Sequence, residues 1–301
     1  MIGRRVFLAA SALLLARAAR AATPPSPELE QHDLRLDGDP RLARRALLLV
    51  PKHLPAGAPL RVLVLLHGLG ETGNELLGIH AWGERYGLVR AYERLRQPPI
   101  ERTLARQRYL TDEHLAELNA ALAERPFHGL ALLCPVTPRA GGARDLDRYA
   151  DWIERTLLPA ARARAPIGAG PAHVGLDGCS LGGRVALEVF LRKPALFGTL
   201  GTVQAAVSVP GAAGYAERLA RALREVGPRP LHLETSTGDP YRAAVVALGR
   251  ELARRDVPAT VTVLPGPHDQ PFLREIGTLE LLHFHDRALA SLGPTVETPG
   301  P

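Results

Sequence analysis

Gly178-Cys179-Ser180-Leu181-Gly182 spells G-x-S-x-G where two kinds of chain meet. Before it, Ala172-His173-Val174-Gly175-Leu176-Asp177 reads as a buried strand, and after it Arg184-Val185-Ala186-Leu187-Glu188-Val189-Phe190-Leu191 reads as a helix. A serine at a tight strand-to-helix turn is the arrangement of a nucleophile elbow, which holds the hydroxyl in a strained, exposed pose. The bare pentapeptide is weak evidence, since it arises by chance in chains rich in glycine and serine. Its flanks carry the weight. Gly178 and Gly182 are expected to shape the turn, and Cys179, one place early, should point away from the position of Ser180.

Working outward, strand-like apolar runs alternate with longer amphipathic stretches, which predicts an α/β fold with a mostly parallel central sheet and helices on both faces. Asp33 to Leu36 and Arg45 to Val50 lie close enough for an antiparallel opening pair. Arg61 to Leu66, Leu130 to Cys134, the run before Ser180, Thr202 to Ser208, Leu231 to Thr235 and Thr260 to Leu264 read as further strands, several of them apolar enough for burial on both faces. Helices are expected over 146–164, 215–226, 242–254 and 272–289. The connection from Glu71 to His128 exceeds an ordinary crossover. It reads as an inserted helical segment after the third strand, clearest at Glu113 to Glu124, and serves either as a partial lid or as a crossover helix with extra turns.

A serine hydroxyl is a poor nucleophile at neutral pH, so Ser180 calls for a base, a carboxylate to orient it, and backbone donors for an oxyanion. The order along the chain should be serine, acid, histidine. Among eleven histidines, His268 in Pro265-Gly266-Pro267-His268-Asp269 sits just past the last strand, where a base at the carboxyl edge of the sheet belongs. Asp239 in Ser236-Thr237-Gly238-Asp239-Pro240-Tyr241 is the candidate acid, and Asp-Pro there also reads as a helix start with Asp239 as N-cap. Glu234 is the alternative acid. Asp269 is disfavoured because sequence neighbours seldom face each other for an Nδ1 hydrogen bond. The turn His67-Gly68-Leu69-Gly70 brings backbone close to a substrate, so the oxyanion donors are assigned to the amides of Leu69 and Leu181. His67, Gly68 and Gly70 shape that loop, His67 by hydrogen bonds. His283 and His285, two apart in a helix, face apart and argue against a shared metal.

The charge is +6, from 37 basic and 31 acidic residues. Arg4, Arg5, Arg17 and Arg20 belong to the first 21 residues, and without these four the balance is 33 against 31, or +2. Nothing in that distribution supports nucleic-acid binding. Arg4-Arg5-Val6-Phe7-Leu8, an Ala/Leu-rich core and Ala19-Arg20-Ala21 read as a signal peptide of twin-arginine type, with an ordinary secretory signal as the alternative. The expected location is periplasmic or extracellular, with no stable membrane anchor. Cys134 and Cys179 end strands that the anticipated sheet order separates, so two buried thiols are expected and no disulfide. No metal-ligand or dinucleotide motif appears, and no cofactor or metal is expected.

Together, His67-Gly68-Leu69-Gly70, Gly178-Cys179-Ser180-Leu181-Gly182-Gly183, Gly238-Asp239-Pro240-Tyr241 and Pro265-Gly266-Pro267-His268-Asp269 resemble the α/β-hydrolase fold. Within it they look most like the secreted esterase group that includes esterase D-like, feruloyl-esterase-like and polyhydroxybutyrate-depolymerase-like enzymes. The resemblance runs from about Arg45 to Leu289. It departs from the group at Gln270-Pro271-Phe272, where an aromatic residue often follows the histidine sooner, and at 71–128. It implies a cofactor-independent serine hydrolase cleaving a small-molecule or polymeric carboxylic ester through an acyl-enzyme on Ser180. Thioesterase, acyltransferase or peptidase chemistry would use the same residues, and a non-catalytic binding module is the remaining alternative. The implied organisation is a signal peptide at 1–21, a linker at 22–30, the hydrolase domain at 31–290 with 71–128 as its insertion, and a tail at 291–301. The oligomeric state is left open.

Overall fold

The computed structural model describes residues 22–55, 57–102, 109–139 and 142–293. The signal-peptide reading, most of the tail and residues 103–108 of the insertion therefore lie outside the described residues. Eight strands form one sheet: β1 Leu29–Arg35, β2 Arg45–Pro51, β3 Val62–Leu66, β4 Ala131–Pro135, β5 Val174–Gly178, β6 Thr199–Val203, β7 Leu231–Gly238 and β8 Thr260–Pro267, in the order β1-β2-β4-β3-β5-β6-β7-β8. β2 runs antiparallel to both β1 and β4, and the other pairings are parallel, as the alternating pattern predicts. The central strands β3, β4 and β5 are buried at every position, which explains their unbroken apolar runs.

The helices are α1 Glu75–His80, α2 Leu88–Arg96, α3 Asp112–Glu124, α4 Ala143–Trp152, α5 Leu158–Arg164, α6 Leu181–Arg192, α7 Ala212–Val226, α8 Arg242–Ala253, the short α9 Gln270–Phe272 and α10 Thr278–Ser291. α6 packs on β5 and β6 with α4 and α7 beside it and α8 next to α7, while α2 packs on α10. Three helical stretches contain a wider π turn, at Ala81–Arg85, Ile153–Leu157 and Leu273–Gly277, so two helices expected as single runs are interrupted. The described part of the insertion is largely helical, and two of its helices approach the C-terminal helical stretch: Arg94 of α2 donates to the Glu275 carbonyl, and His114 of α3 meets Glu280 at 2.8 Å. Among the described residues of the insertion, Glu71 and Tyr86 line the cleft that holds Ser180.

Three local expectations change. β6 ends at Val203 instead of running to Ser208, because Gln204 adopts φ 50° and turns the chain out of the sheet. Asp239 is not the N-cap of α8. Tyr241 holds that place, and its amide donates to Asp239 Oδ1 at 3.0 Å. The stretch read as a linker is packed, since β1 begins at Leu29, Thr23 and Ser26 are buried, and the Thr23 amide donates to His80 Nδ1 at 3.0 Å. Cys134 and Cys179 are buried free thiols on either side of β3.

Candidate active site

The elbow follows from β5 ending against the start of α6. Ser180 sits at φ 55° and ψ −116°, a conformation rarely taken by a residue with a Cβ. The flanking glycines are required by contact. A Cβ on Gly178 would lie 2.5 Å from the Gly182 backbone, and one on Gly182 would lie 2.1 Å from the Leu66 carbonyl. The turn is pinned on its far side, where Ser180 N–H donates to the Val203 carbonyl at 2.9 Å and the Ser180 carbonyl accepts from Ala206 at 2.9 Å.

The parallel strands bring the distant candidates to the same carboxyl edge. Ser180 Oγ lies 3.0 Å from His268 Nε2, and His268 Nδ1 lies 2.9 Å from Asp239 Oδ1. With the carboxylate accepting, Nδ1 carries the proton and Nε2 is free to accept from Ser180. Asp239 Oδ2 accepts from the Thr235 hydroxyl at 2.6 Å. Burial pushes the Asp239 carboxyl up, but hydrogen bonds from His268, Thr235 and the Tyr241 amide outweigh it and hold the group below its ordinary value. Tyr241 packs edge-on to the His268 ring at 5.5 Å.

Glu234 is placed differently. It lies in the middle of β7, fully buried, with neither carboxylate oxygen hydrogen-bonded and with Gly277 beside it. Burial, then the Glu280 and Asp177 carboxylates, push it well above its ordinary value, toward the neutral form. Asp269 instead caps α9, its Oδ1 accepting from Phe272 N–H at 2.9 Å.

His67 is buried and doubly engaged. Its Nδ1–H donates to the Gly68 carbonyl at 2.9 Å, and its Nε2 accepts from the Thr137 amide at 2.8 Å. Burial lowers its pKa to about 4, opposed by the Gly68 hydrogen bond, so the ring is neutral and serves the loop. Leu69 opens a short helical turn and Leu181 opens α6, so neither amide has an acceptor inside its own helix. Gly68, Leu69, Gly70, Ser180 and His268 line one cleft of about 280 Å³.

Other contributors escaped the sequence reading. The Gln204 amide donates to Ser236 Oγ at 2.7 Å and to the Pro267 carbonyl at 2.8 Å, tying the elbow's neighbour to the turn that carries His268. Its only signal was a polar residue inside an apolar run. Tyr86 OH accepts from the Gly68 amide at 3.2 Å and donates to the buried Glu71 carboxylate, which also accepts from Arg85 at 3.3 Å. Cys179 lies against the same group, its thiol pushed up by burial and then by Glu71. Beneath the elbow, His285 Nε2–H donates to Asp177 Oδ2 at 3.0 Å and its Nδ1 accepts from Thr199 at 2.7 Å, while Asp177 Oδ1 accepts from the Gly178 amide at 2.6 Å. His285 thus braces α10 against the strand that delivers Ser180.

No family model matches the chain, and no curated protein matches it either. Solved structures do. A ferulic acid esterase superposes with a TM-score of 0.63 at 17% identity, over 87% of this chain and 98% of that one. S-formylglutathione hydrolase from Staphylococcus aureus gives 0.54 at 14% identity, over 88% and 99%. The enterobactin esterase from Shigella flexneri gives 0.57 at 16% identity, over 89% of this chain and 61% of that one. With strand order β1-β2-β4-β3-β5-β6-β7-β8 and an elbow between β5 and α6, the chain has the α/β-hydrolase fold.

Proposed function

We propose that this protein is a serine hydrolase of carboxylic esters, working without a cofactor through an acyl-enzyme on Ser180. The observation that carries the reading is the line Asp239–His268–Ser180, at 2.9 and 3.0 Å. In the first half-reaction Ser180 Oγ attacks the ester carbonyl while its proton passes to His268 Nε2. The tetrahedral oxyanion is received by the amides of Leu69 and Leu181. His268 then protonates the departing alcohol, leaving an ester on Ser180. In the second half-reaction His268 takes a proton from water, the hydroxide attacks the acyl carbon, and Ser180 recovers its proton as the acid leaves. Asp239 keeps Nδ1 protonated throughout and offsets the imidazolium charge.

Structural neighbours named as esterases support a hydrolase of ester bonds. The leader, read as an export signal, supports a reaction in the periplasm or outside the cell. A fluorophosphonate probe and a short-chain aryl ester test the reading together. Wild type should label and turn over, and Ser180→Ala should do neither while keeping the wild-type circular dichroism. Labelling that persists in Ser180→Ala would remove Ser180 as nucleophile.

A further inference from the structure

The Leu69 amide can receive an oxyanion only if its peptide plane is held still, and its own side chain does not hold it. Leu69 is 51% exposed, so packing gives the tip of the loop no anchor. In a planar trans peptide the carbonyl and the N–H point in opposite directions, so whatever holds the Gly68 carbonyl also aims the Leu69 amide. His67 Nδ1–H holds that carbonyl at 2.9 Å. Glycine is the most permissive residue about its dihedrals, and the plane can still rock unless the N–H of Gly68 is held too. Its acceptor is the Tyr86 hydroxyl at 3.2 Å, which comes from the insertion.

A phenol has one proton and a carboxylate accepts, so the directions are fixed: Tyr86 donates to Glu71 and accepts from Gly68. Gly68 and Glu71 flank Leu69 and Gly70, and one hydroxyl therefore closes the turn on itself. Arg85 donates to the other Glu71 oxygen at 3.3 Å and offsets the charge that a bare carboxylate would set against an oxyanion. The hydroxyl has little freedom of its own. Tyr86 is buried, its ring meets Trp82 edge-on at 5.1 Å, and its carbonyl accepts from the Thr278 hydroxyl of α10 at 2.8 Å. A Cβ on Gly68 would lie 3.2 Å from the Tyr86 hydroxyl and 3.7 Å from Cys179 Sγ, so the glycine lets the backbone come this close.

We propose, resting on the serine-hydrolase reading above, that Tyr86 is a positioning residue for oxyanion stabilisation and that the π turn at Ala81–Arg85, with Tyr86 at its end, serves to deliver its hydroxyl. Tyr86 and Glu71 form a clasp that keeps the Leu69 amide aimed at the oxyanion before substrate arrives, which is the condition under which such a donor is effective. The clasp also selects the donor. The Gly68 amide is spent on Tyr86, which leaves the Leu69 amide to serve the oxyanion.

Steady-state kinetics on an aryl ester, with active sites counted by fluorophosphonate, test the role. Tyr86→Phe should keep the wild-type circular dichroism and lower kcat by ~10–100-fold, less than outright loss of a donor costs, with KM within ~2-fold. A trifluoromethyl ketone forms a hemiketal whose oxygen sits where the oxyanion forms. Its inhibition constant should rise by the factor by which kcat falls, while the pH-profile midpoint set by His268 stays in place, a pairing that general loosening of the fold would not produce. Glu71→Gln keeps an acceptor for the hydroxyl without the charge, and should lower kcat by ~3–10-fold with the same split. Should Tyr86→Phe lose its fold, the split in Glu71→Gln decides. Because both residues act through one clasp, the double variant should fall no more than ~2-fold below Tyr86→Phe. A Tyr86→Phe enzyme with kcat within ~2-fold of wild type, a loss carried by KM, or losses that multiply in the double variant overturn the positioning role alone. A wild type that neither labels nor turns over removes the hydrolase reading and this role with it.

Discussion

Asparagine in place of Asp239 removes a charge while leaving the hydrogen bonds nearly intact, and the surroundings decide how the amide will lie. Oδ1 accepts from both His268 Nδ1 and the Tyr241 amide, at 2.9 and 3.0 Å, whereas Oδ2 accepts from the Thr235 hydroxyl at 2.6 Å. A backbone N–H cannot turn round, but a hydroxyl can rotate to accept. The asparagine oxygen is therefore held at the Oδ1 position and its NH₂ goes to Thr235. His268 keeps its proton on Nδ1 and its free lone pair toward Ser180. Only the stabilisation of the imidazolium is lost. Unit charges about 4 Å apart at an effective dielectric of about 20 attract by ~4 kcal/mol, an upper bound that corresponds to ~10³-fold in rate. The opposite amide orientation would place the proton on Nε2, a fault that costs ~10⁴-fold in a well-studied serine protease. Asp239→Asn should thus lower kcat by ~10²–10³-fold, with KM little changed, measured on an aryl ester with active sites counted by fluorophosphonate titration. A loss below ~10-fold, or near-full activity in Asp239→Asn beside a dead Glu234→Gln, would refute the assignment of the acid.

Glu234 makes a prediction with the opposite pH sense. Its folded-state pKa is raised by burial, so between its unfolded value and the raised one the unfolded chain gives up a proton that the folded chain keeps, and stability falls as pH rises. Glu234→Gln should melt above wild type at pH 8 by ~2 °C or more, with the gap closing near pH 4, as followed by calorimetry; a constant gap would show that Glu234 carries no such linkage. His67 works the other way for a base. Its pKa is lowered to about 4, so its contribution is complete above the unfolded value and lost as pH falls from about 6.5 to 4, on the order of 3 kcal/mol in all. Denaturant titrations of wild type at pH 7 and pH 4.5 should differ by most of that amount more than those of His67→Gln. His285→Ala leaves the Asp177 carboxylate buried without its charge-assisted partner and should cost ~3 kcal/mol of stability, with kcat falling more than KM rises; an unchanged melting temperature would exclude the brace to α10.

Much of this arrangement was legible because it rests on short-range chemistry. Gly178 and Gly182 announce a turn in which backbones touch, and the Leu66 carbonyl and the Gly182 backbone are the atoms a side chain would strike. Asp239 and His268 were findable because parallel strands deliver successive loops to one edge, so position after a strand stands in for proximity. What could not be read depends on which side chains meet across the fold. Glu234 looked like a strand-end acid, but β7 runs on to Gly238 and leaves it in mid-strand on the α10 side. Asp239-Pro240 looked like a helix start because local capping propensity says so, yet the carboxylate is committed to His268 and Tyr241 takes the cap. Gln204, Tyr86 and Asp177 have roles that depend on partners 32, 18 and 108 positions away.

The backbone of Ser180, at φ 55° and ψ −116°, sits outside the basins a serine prefers. Such a conformation costs ~1–3 kcal/mol, against a net folding free energy of ~5–15 kcal/mol for a typical domain. Glycine would adopt the same angles nearly free of that cost. A stabilising change at the elbow is therefore one that would remove the proposed nucleophile. Among randomly generated variants sorted for thermal resistance alone, position 180 should drift toward glycine, and only a screen that also demands turnover would keep the serine.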